Sequence, residues 1–297
     1  MTTVTRLLIC SAMLVPSAAT AQASGSPTEA QRPTVQAISA TGAIQIDGRL
    51  NEAAWASAPL ATEFTQVDPE EGRPVSERTE ARIIYDSDAL YIGVRLYDRE
   101  PVSGRLGRRD MPLSDSDWLG VVIDSYHDHR TGFSFDVNPS GVQRDATKSM
   151  GPGGNEVDDL SWDPVWEAAV TTDAEGWTAE YRIPFSQLRF SASDNPVWGI
   201  QLERVIGRRR EYAVLSFTPK TERGGIPNFG HLLGLQDIDP GQRLEVAPYL
   251  LTRAEYVDPG QNPYRGDSEY FGSGGVDVLR TPKQIAEQNG CGPSCRS

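Results

Sequence analysis

The sequence predicts an all-β protein, an antiparallel β-sandwich of jelly-roll type with helix limited to short turns. Three observations carry this expectation. Short segments that alternate in polarity, or are wholly apolar, recur at regular spacing between about residues 40 and 251. Clusters of Asp, Gly, Ser and Pro separate them, and no long run of helical period lies between them.

Each element follows in order. Residues 52–58 form the one plausible helical turn. Segments 81–85 and 90–96 flank Asp86-Ser87-Asp88, whose side chains favour a tight reversal, so the pair reads as a hairpin. In its second arm Leu90, Ile92, Val94 and Leu96 share one face. Segment 118–124 is nearly continuous apolar sequence, and in 132–138 Phe133, Phe135 and Val137 alternate. After the break at Gly151-Pro152-Gly153-Gly154, segments 165–170 and 177–183 flank Asp173-Ala174-Glu175-Gly176 as a second hairpin. Its return arm alternates Trp177, Ala179, Tyr181 and Ile183 with polar residues. Segments 197–205, 212–217 and 244–251 complete the strands of a domain spanning 40–251.

The two ends read differently. Residues 1–23 have the form of a cleaved export signal: Arg6, an apolar run over 7–15, Pro16, then Ala19-Thr20-Ala21 and Ala21-Gln22-Ala23. That run is about half the ~20 residues a membrane-spanning helix needs. Residues 24–39 read as a flexible leader and 252–297 as an irregular tail, in which Cys291 and Cys295 could pair in an oxidising compartment. The expected location is periplasmic or at the outer membrane. A net charge of −13 excludes nucleic acid as a partner, since phosphate binders present basic patches. No G-x-S-x-G, H-E-x-x-H or phosphate-cradling glycine loop is present, and none of the pairs among the 41 acids stands out as catalytic.

The stretch Ile46-Asp47-Gly48-Arg49-Leu50-Asn51-Glu52-Ala53-Ala54-Trp55 joins a tight turn to a short helix whose Trp can pack back on a sheet. Taken with Tyr85-Asp86-Ser87-Asp88-Ala89-Leu90-Tyr91, Ser116-Asp117-Trp118, Gly176-Trp177 and Arg182-Ile183-Pro184-Phe185, it resembles the family-nine carbohydrate-binding modules known as xylanase appendages. The resemblance runs over about residues 40–250. It implies a β-sandwich, a polysaccharide or oligosaccharide ligand, bound calcium, and a place in plant-polysaccharide breakdown. The chain is also similar to modules that precede a bacterial outer-membrane β-barrel, with Leu244-Glu245-Val246-Ala247-Pro248-Tyr249 as the closing segment. Residues 274–279 resemble a first barrel strand, so the tail reads as the truncated start of such a barrel.

A sugar site needs aromatic rings for C–H faces and paired donors and acceptors for hydroxyls. Of the six tryptophans, Trp177, Trp198 and Trp166 keep step with apolar neighbours and Trp55 sits in the helical turn, so these four are expected in cores. Trp162 and Trp118 are the candidate platforms, with Arg109 and Asp110 as a polar rim; the competing roles are packing and local ion pairs. Asp115 and Asp117, and Asp158, Asp159 and Asp163, are the candidate calcium ligands, against a reading as solvated acids. His127 and His129 alone are a weak metal signal and suit a polar hairpin end. The expected function is a non-catalytic, exported carbohydrate-binding module serving xylan-type breakdown or uptake. The alternatives are a periplasmic interaction domain of an outer-membrane barrel protein and a hydrolase of O-glycosyl bonds.

Overall fold

Alternation of apolar and polar residues builds two sheets that bury their apolar faces against each other. The computed structural model describes residues 32–113 and 116–239. The expected signal, most of the leader, the strand at 244–251, the tail with its cysteines, and Asp115 lie outside the described residues. In chain order the elements are β1 (Thr34–Ser39), α1 (Ala53–Ser57), β2 (Thr65–Asp68), β3 (Thr79–Tyr85), β4 (Ala89–Tyr97), β5 (Trp118–Asp124) and β6 (Thr131–Val137). They continue with β7 (Gln143–Met150), β8 (Glu156–Asp159), β9 (Glu167–Asp173), β10 (Gly176–Pro184), β11 (Trp198–Ile206), β12 (Glu211–Val214) and β13 (Gly230–Leu233).

The first sheet runs β8-β7-β6-β5-β11-β13-β1 and the second β1-β3-β4-β10-β9. β12 pairs the second half of β11, with β2 outside it. β1 therefore belongs to both sheets. Its residues Thr34, Val35 and Gln36 pair with β13, and Ala37, Ile38 and Ser39 pair with β3. Both pairings are parallel, an addition to the expected antiparallel sandwich; every other named pairing is antiparallel. A parallel pair cannot be closed by a tight turn, so it leaves no hairpin signal in the sequence. β1 also falls inside the stretch assigned to the leader, because only Val35 and Ala37 mark its buried face.

The core between the sheets holds Trp166, Trp177, Trp198, Phe135, Tyr181 and the aliphatic faces of β3, β4, β5 and β11. Trp166 stacks on Tyr181 at 5.6 Å, and Phe135 meets Trp166 edge-on at 5.3 Å. The Tyr181 hydroxyl crosses the core to donate to the Leu119 carbonyl at 2.8 Å. At one end of the sandwich Arg204 of β11, 1% exposed, reaches across to the second sheet. Its Nη1 donates to the carbonyls of Glu77 and Arg78 and to Thr79 Oγ1, and its Nη2 to the carbonyl of Tyr97.

The opening motif has a structural role on the far side of the second sheet. Ala54 and Trp55 of α1 pack with Ile84, Ala89 and Tyr91 in a separate apolar cluster. Glu180 of β10 anchors them: its carboxyl accepts from the backbone N–H groups of Asp47 and Gly48, both at 3.0 Å, and from Trp55 Nε1 at 3.2 Å. Gly48 has φ +79°, and a Cβ there would stand 2.8 Å from the Val170 carbonyl carbon, so the turn needs glycine. Trp177, 1% exposed within the main core, should be the costliest kind of truncation. Trp177→Ala is expected to destabilise the fold by about 3–5 kcal/mol, read from denaturant unfolding.

Candidate functional site

The outer face of the first sheet, away from the core, carries the polar chemistry. Strand register brings Arg144, Asp136, Gly120, Glu203 and Val214 into one row across β7, β6, β5, β11 and β12. Gly120 is the low point of that row. A Cβ there would lie 2.6 Å from Asp136 Oδ1 and 3.4 Å from Glu203 Cβ, so only glycine lets the two acids approach.

Beside this row lies a cleft of about 330 Å³, at the lower end of small-molecule sites. Gln201, Glu203, Tyr212, Ser216, Asn155 and Glu156 supply its polar lining, and Val67, Val214 and Phe229 apolar wall. Alternation along β11 explains the placement: Trp198, Ile200 and Leu202 enter the core, so Gln201 and Glu203 face out. Gln201 is fixed by a two-way pairing with Ser216, donating from Nε2 to its carbonyl and accepting from its N–H, each at 2.8 Å. Glu156 Oε1 accepts from Ile226 N–H at 3.0 Å.

Burial lifts the Glu203 carboxyl to about 7, against the pull of the Lys148 charge, and its side chain hydrogen-bonds Tyr212. Burial and the Glu203 charge push the Tyr212 phenol well above its ordinary value. For Lys148 burial acts downward, but the charges of Glu203, Glu156 and Asp158 outweigh it and hold the ammonium above its usual range. The Lys148 Nζ stands 3.1 Å from Asp158 and 3.6 Å from Glu156. The cleft thus offers fixed donors and acceptors of both kinds beside an aromatic ring and an apolar wall.

The family model described as "Carbohydrate family 9 binding domain-like" matches residues 46–207. The chain belongs to this family. Among solved structures it is similar to a carbohydrate binding module family 9 from Caldicellulosiruptor kristjanssonii in complex with cellotriose. The two are 14% identical, with a TM-score of 0.51 over 73% of this chain and 100% of that one. The module from the same organism in complex with glucose matches at 14% identity and a TM-score of 0.48, covering 72% of this chain and 100% of that one. No curated protein matches the sequence.

Within this family-nine-like module the sequence-predicted residues fall in several places. Trp162, Arg109, Asp110 and Asp163 do gather, at the edge of the sandwich. Trp162 is half-buried against Phe133 and Phe135, at 5.0 and 5.5 Å between ring centroids. Arg109 is held by Gln143, Asp145 and the Pro164 carbonyl, with Asp163 at 3.7 Å. Asp110 turns the chain with φ +62° and accepts from Asp145 N–H at 3.3 Å. Their polar groups brace the loops to β7. Trp118 corrects the expectation of a platform: it is 1% exposed, packed with Met111 and Val142, and offers no face to a sugar.

The acids assigned to calcium do not fit the ion among the described residues. Asp117 is 2% exposed, and its two carboxylate oxygens accept from the N–H groups of Ser103 and Gly207. Asp158 is taken by Arg144 and Lys148, Asp163 lies beside Arg109, and exposed Asp159 accepts from Ser161 N–H. Among the described residues no group of three or more His, Cys, Asp or Glu is placed to hold a metal. His127 and His129 meet at 4.4 Å, and His231 joins them at 5.3 Å from His127, a partner that the local sequence did not reveal.

Two carboxyls, Glu203 and Glu180, are lifted by burial from an ordinary 4.5 to about 7. Between those values the folded chain keeps protons that the unfolded chain has released. Their contribution is fully present below about pH 4.5, falls as pH rises to about 7, and is flat above. The melting temperature should therefore be higher near pH 5 than near pH 8. Glu203→Gln should make that fall shallower in a pH series of thermal melts.

Proposed function

We propose that this chain is a non-catalytic, exported sugar-binding module that holds a short saccharide in the cleft beside Glu203, in the service of polysaccharide breakdown or uptake. The single observation that carries this reading is the cleft itself: a preformed, mixed-polarity hollow on the outer sheet face of a family-nine-like module. Sugar hydroxyls each need a donor and an acceptor. Gln201, Glu203, Tyr212 and Asn155 present both, held by contacts already made in the fold. Val67, only partly buried, gives the lining an apolar patch for the C–H face of a pyranose. The relative from Caldicellulosiruptor kristjanssonii is itself a cellotriose complex, which supports a saccharide as the ligand class. Export to the periplasm or outer membrane rests on residues 1–23, and a xylan-type polymer on the resemblance of the motifs.

Titration calorimetry with xylo- and cello-oligosaccharides tests this reading. Tyr212→Phe removes one hydroxyl from the lining and should weaken binding about tenfold, ~1.4 kcal/mol, at a temperature where a thermal melt shows the variant still folded. Trp162→Ala should leave affinity unchanged, because that ring packs on Phe133 and Phe135 at the sandwich edge. Loss of binding in Trp162→Ala together with full binding in Tyr212→Phe would move the site to the sandwich edge. An absence of binding to any oligosaccharide would end the sugar reading.

A further inference from the structure

Two glycine-bearing loops meet at one rim of the cleft, and an arginine lies across the join. Gly154 and Asn155 line the cleft from the turn between β7 and β8, and Gly224 and Gly225 line it from the loop after β12. Arg223 directly precedes that glycine pair. A Cβ built on Gly154 would stand 3.4 Å from each of the Arg223 Cζ, Nε and Nη1 atoms. Equal distance from three atoms of one plane puts Gly154 against the face of the guanidinium. Its in-plane N–H groups are therefore directed past Gly154 and not into it. The loop is pinned on both sides of the glycines: the Arg223 carbonyl accepts from Asn228 Nδ2 at 2.6 Å, and Ile226 N–H donates to Glu156 at 3.0 Å. Arg223 is exposed, and among the described residues no carboxylate pairs with its guanidinium. Arg144 and Lys148 on the same sheet face are already taken. Arg144 pairs with Asp136 and Asp158 at 2.8 and 2.7 Å. Lys148 pairs with Asp158 and Glu156 at 3.1 and 3.6 Å, and its charge acts on Glu203 as well.

A guanidinium packed by its face and unpaired at its edge is a preformed receptor for a planar anion, because its fork matches the two oxygens of a carboxylate. A neutral sugar has hydroxyls for Gln201, Tyr212 and Asn155 and nothing charged for Arg223. There is room at the rim for a substituent: a Cβ on Gly224 would meet nothing closer than Thr218 at 3.8 Å. The acids on the same face repel further negative charge, so a single carboxylate suits this rim and a polyanion does not. Resting on the sugar-binding reading above, we infer that the cleft takes an acidic saccharide, one bearing a uronic acid, whose carboxylate pairs with Arg223 at the glycine rim. The neutral part of the ligand lies among Gln201, Tyr212 and Asn155. Those contacts hold a saccharide, and Arg223 selects which one is held.

The test titrates the full chain with a xylo-oligosaccharide carrying one glucuronic acid, the methyl ester of the same compound, and the unsubstituted xylo-oligosaccharide. The acid should bind about tenfold or more tightly than either neutral ligand at low salt, and the advantage should shrink as salt is raised. Arg223→Gln should bring the three affinities to within about twofold of one another, at a temperature where a thermal melt shows the variant still folded. Arg49→Gln removes an exposed positive charge beside the Gly48 turn, on the far side of the second sheet. It should leave the preference intact and so controls for overall charge. Equal affinities for acid and ester in the parent chain, or a preference that survives Arg223→Gln, would overturn the inference while the sugar reading stands. If none of the three binds, the inference falls; the sugar reading falls with it only if cello-oligosaccharides also fail to bind.

Discussion

The guanidinium of Arg204 sits where the two sheets meet at one end, and its burial ties β11 to the opposite sheet. Removing such a charge from water is expensive, and burial pulls the group down to about 10, still charged at neutral pH. Four hydrogen bonds to Glu77, Arg78, Thr79 and Tyr97 offset that cost, aided by the charges of Asp98, Asp117, Glu211 and Glu77. The carbonyls it satisfies lie just before the start of β3 and at the end of β4. A second layer of cations completes the balance, with Arg99 and Arg209 on Glu77 and Arg208 on Asp98. Because Arg204 directly follows Glu203 on β11, the anchor also fixes the cleft floor.

Much of the fold was legible because apolar alternation and turn chemistry act locally. The hairpins of β3 with β4 and of β9 with β10, the strands β5, β6 and β11, and α1 with its packed Trp55 all announce themselves through neighbours in sequence. The strands that escaped notice are polar or short. β7, with Arg144, Asp145 and Lys148, and β8, with Glu156, Asp158 and Asp159, carry ion pairs across a sheet face where apolar alternation would have marked a strand. β13 is four residues long, and its Gly230 and His231 give little apolar signal.

The carbohydrate-binding family was legible in the sequence, and the cleft was not. A sugar ligand followed from motifs that turn out to build the scaffold: Gly48 and Trp55 serve the Glu180 anchor on the second sheet, away from the cleft. Exposed-looking tryptophans were the natural candidates, yet Trp118 is covered by Met111 and Val142, residues that flank it only after folding. Gln201 and Glu203 could be assigned outward from the period of β11. Their significance depends on Gly120, Tyr212 and Glu156 arriving from other strands, and strand order is not written in any one segment.

The double membership of β1 also governs when the module can become whole. Its first three residues need His231, Leu232 and Leu233, made nearly two hundred residues later, and its last three need β3. The two sheets are therefore stitched by the first strand only after the last has appeared. Long-range and parallel closure of this kind is slow, because the entropy of a large loop is lost before any contact returns it. A chain fed amino end first through a narrow passage would keep this seam open until β13 had followed. The same arrangement makes the seam a zipper whose two ends of sequence must both be present, and clipping β1 alone frees the edges of both sheets at once, β13 in one and β3 in the other.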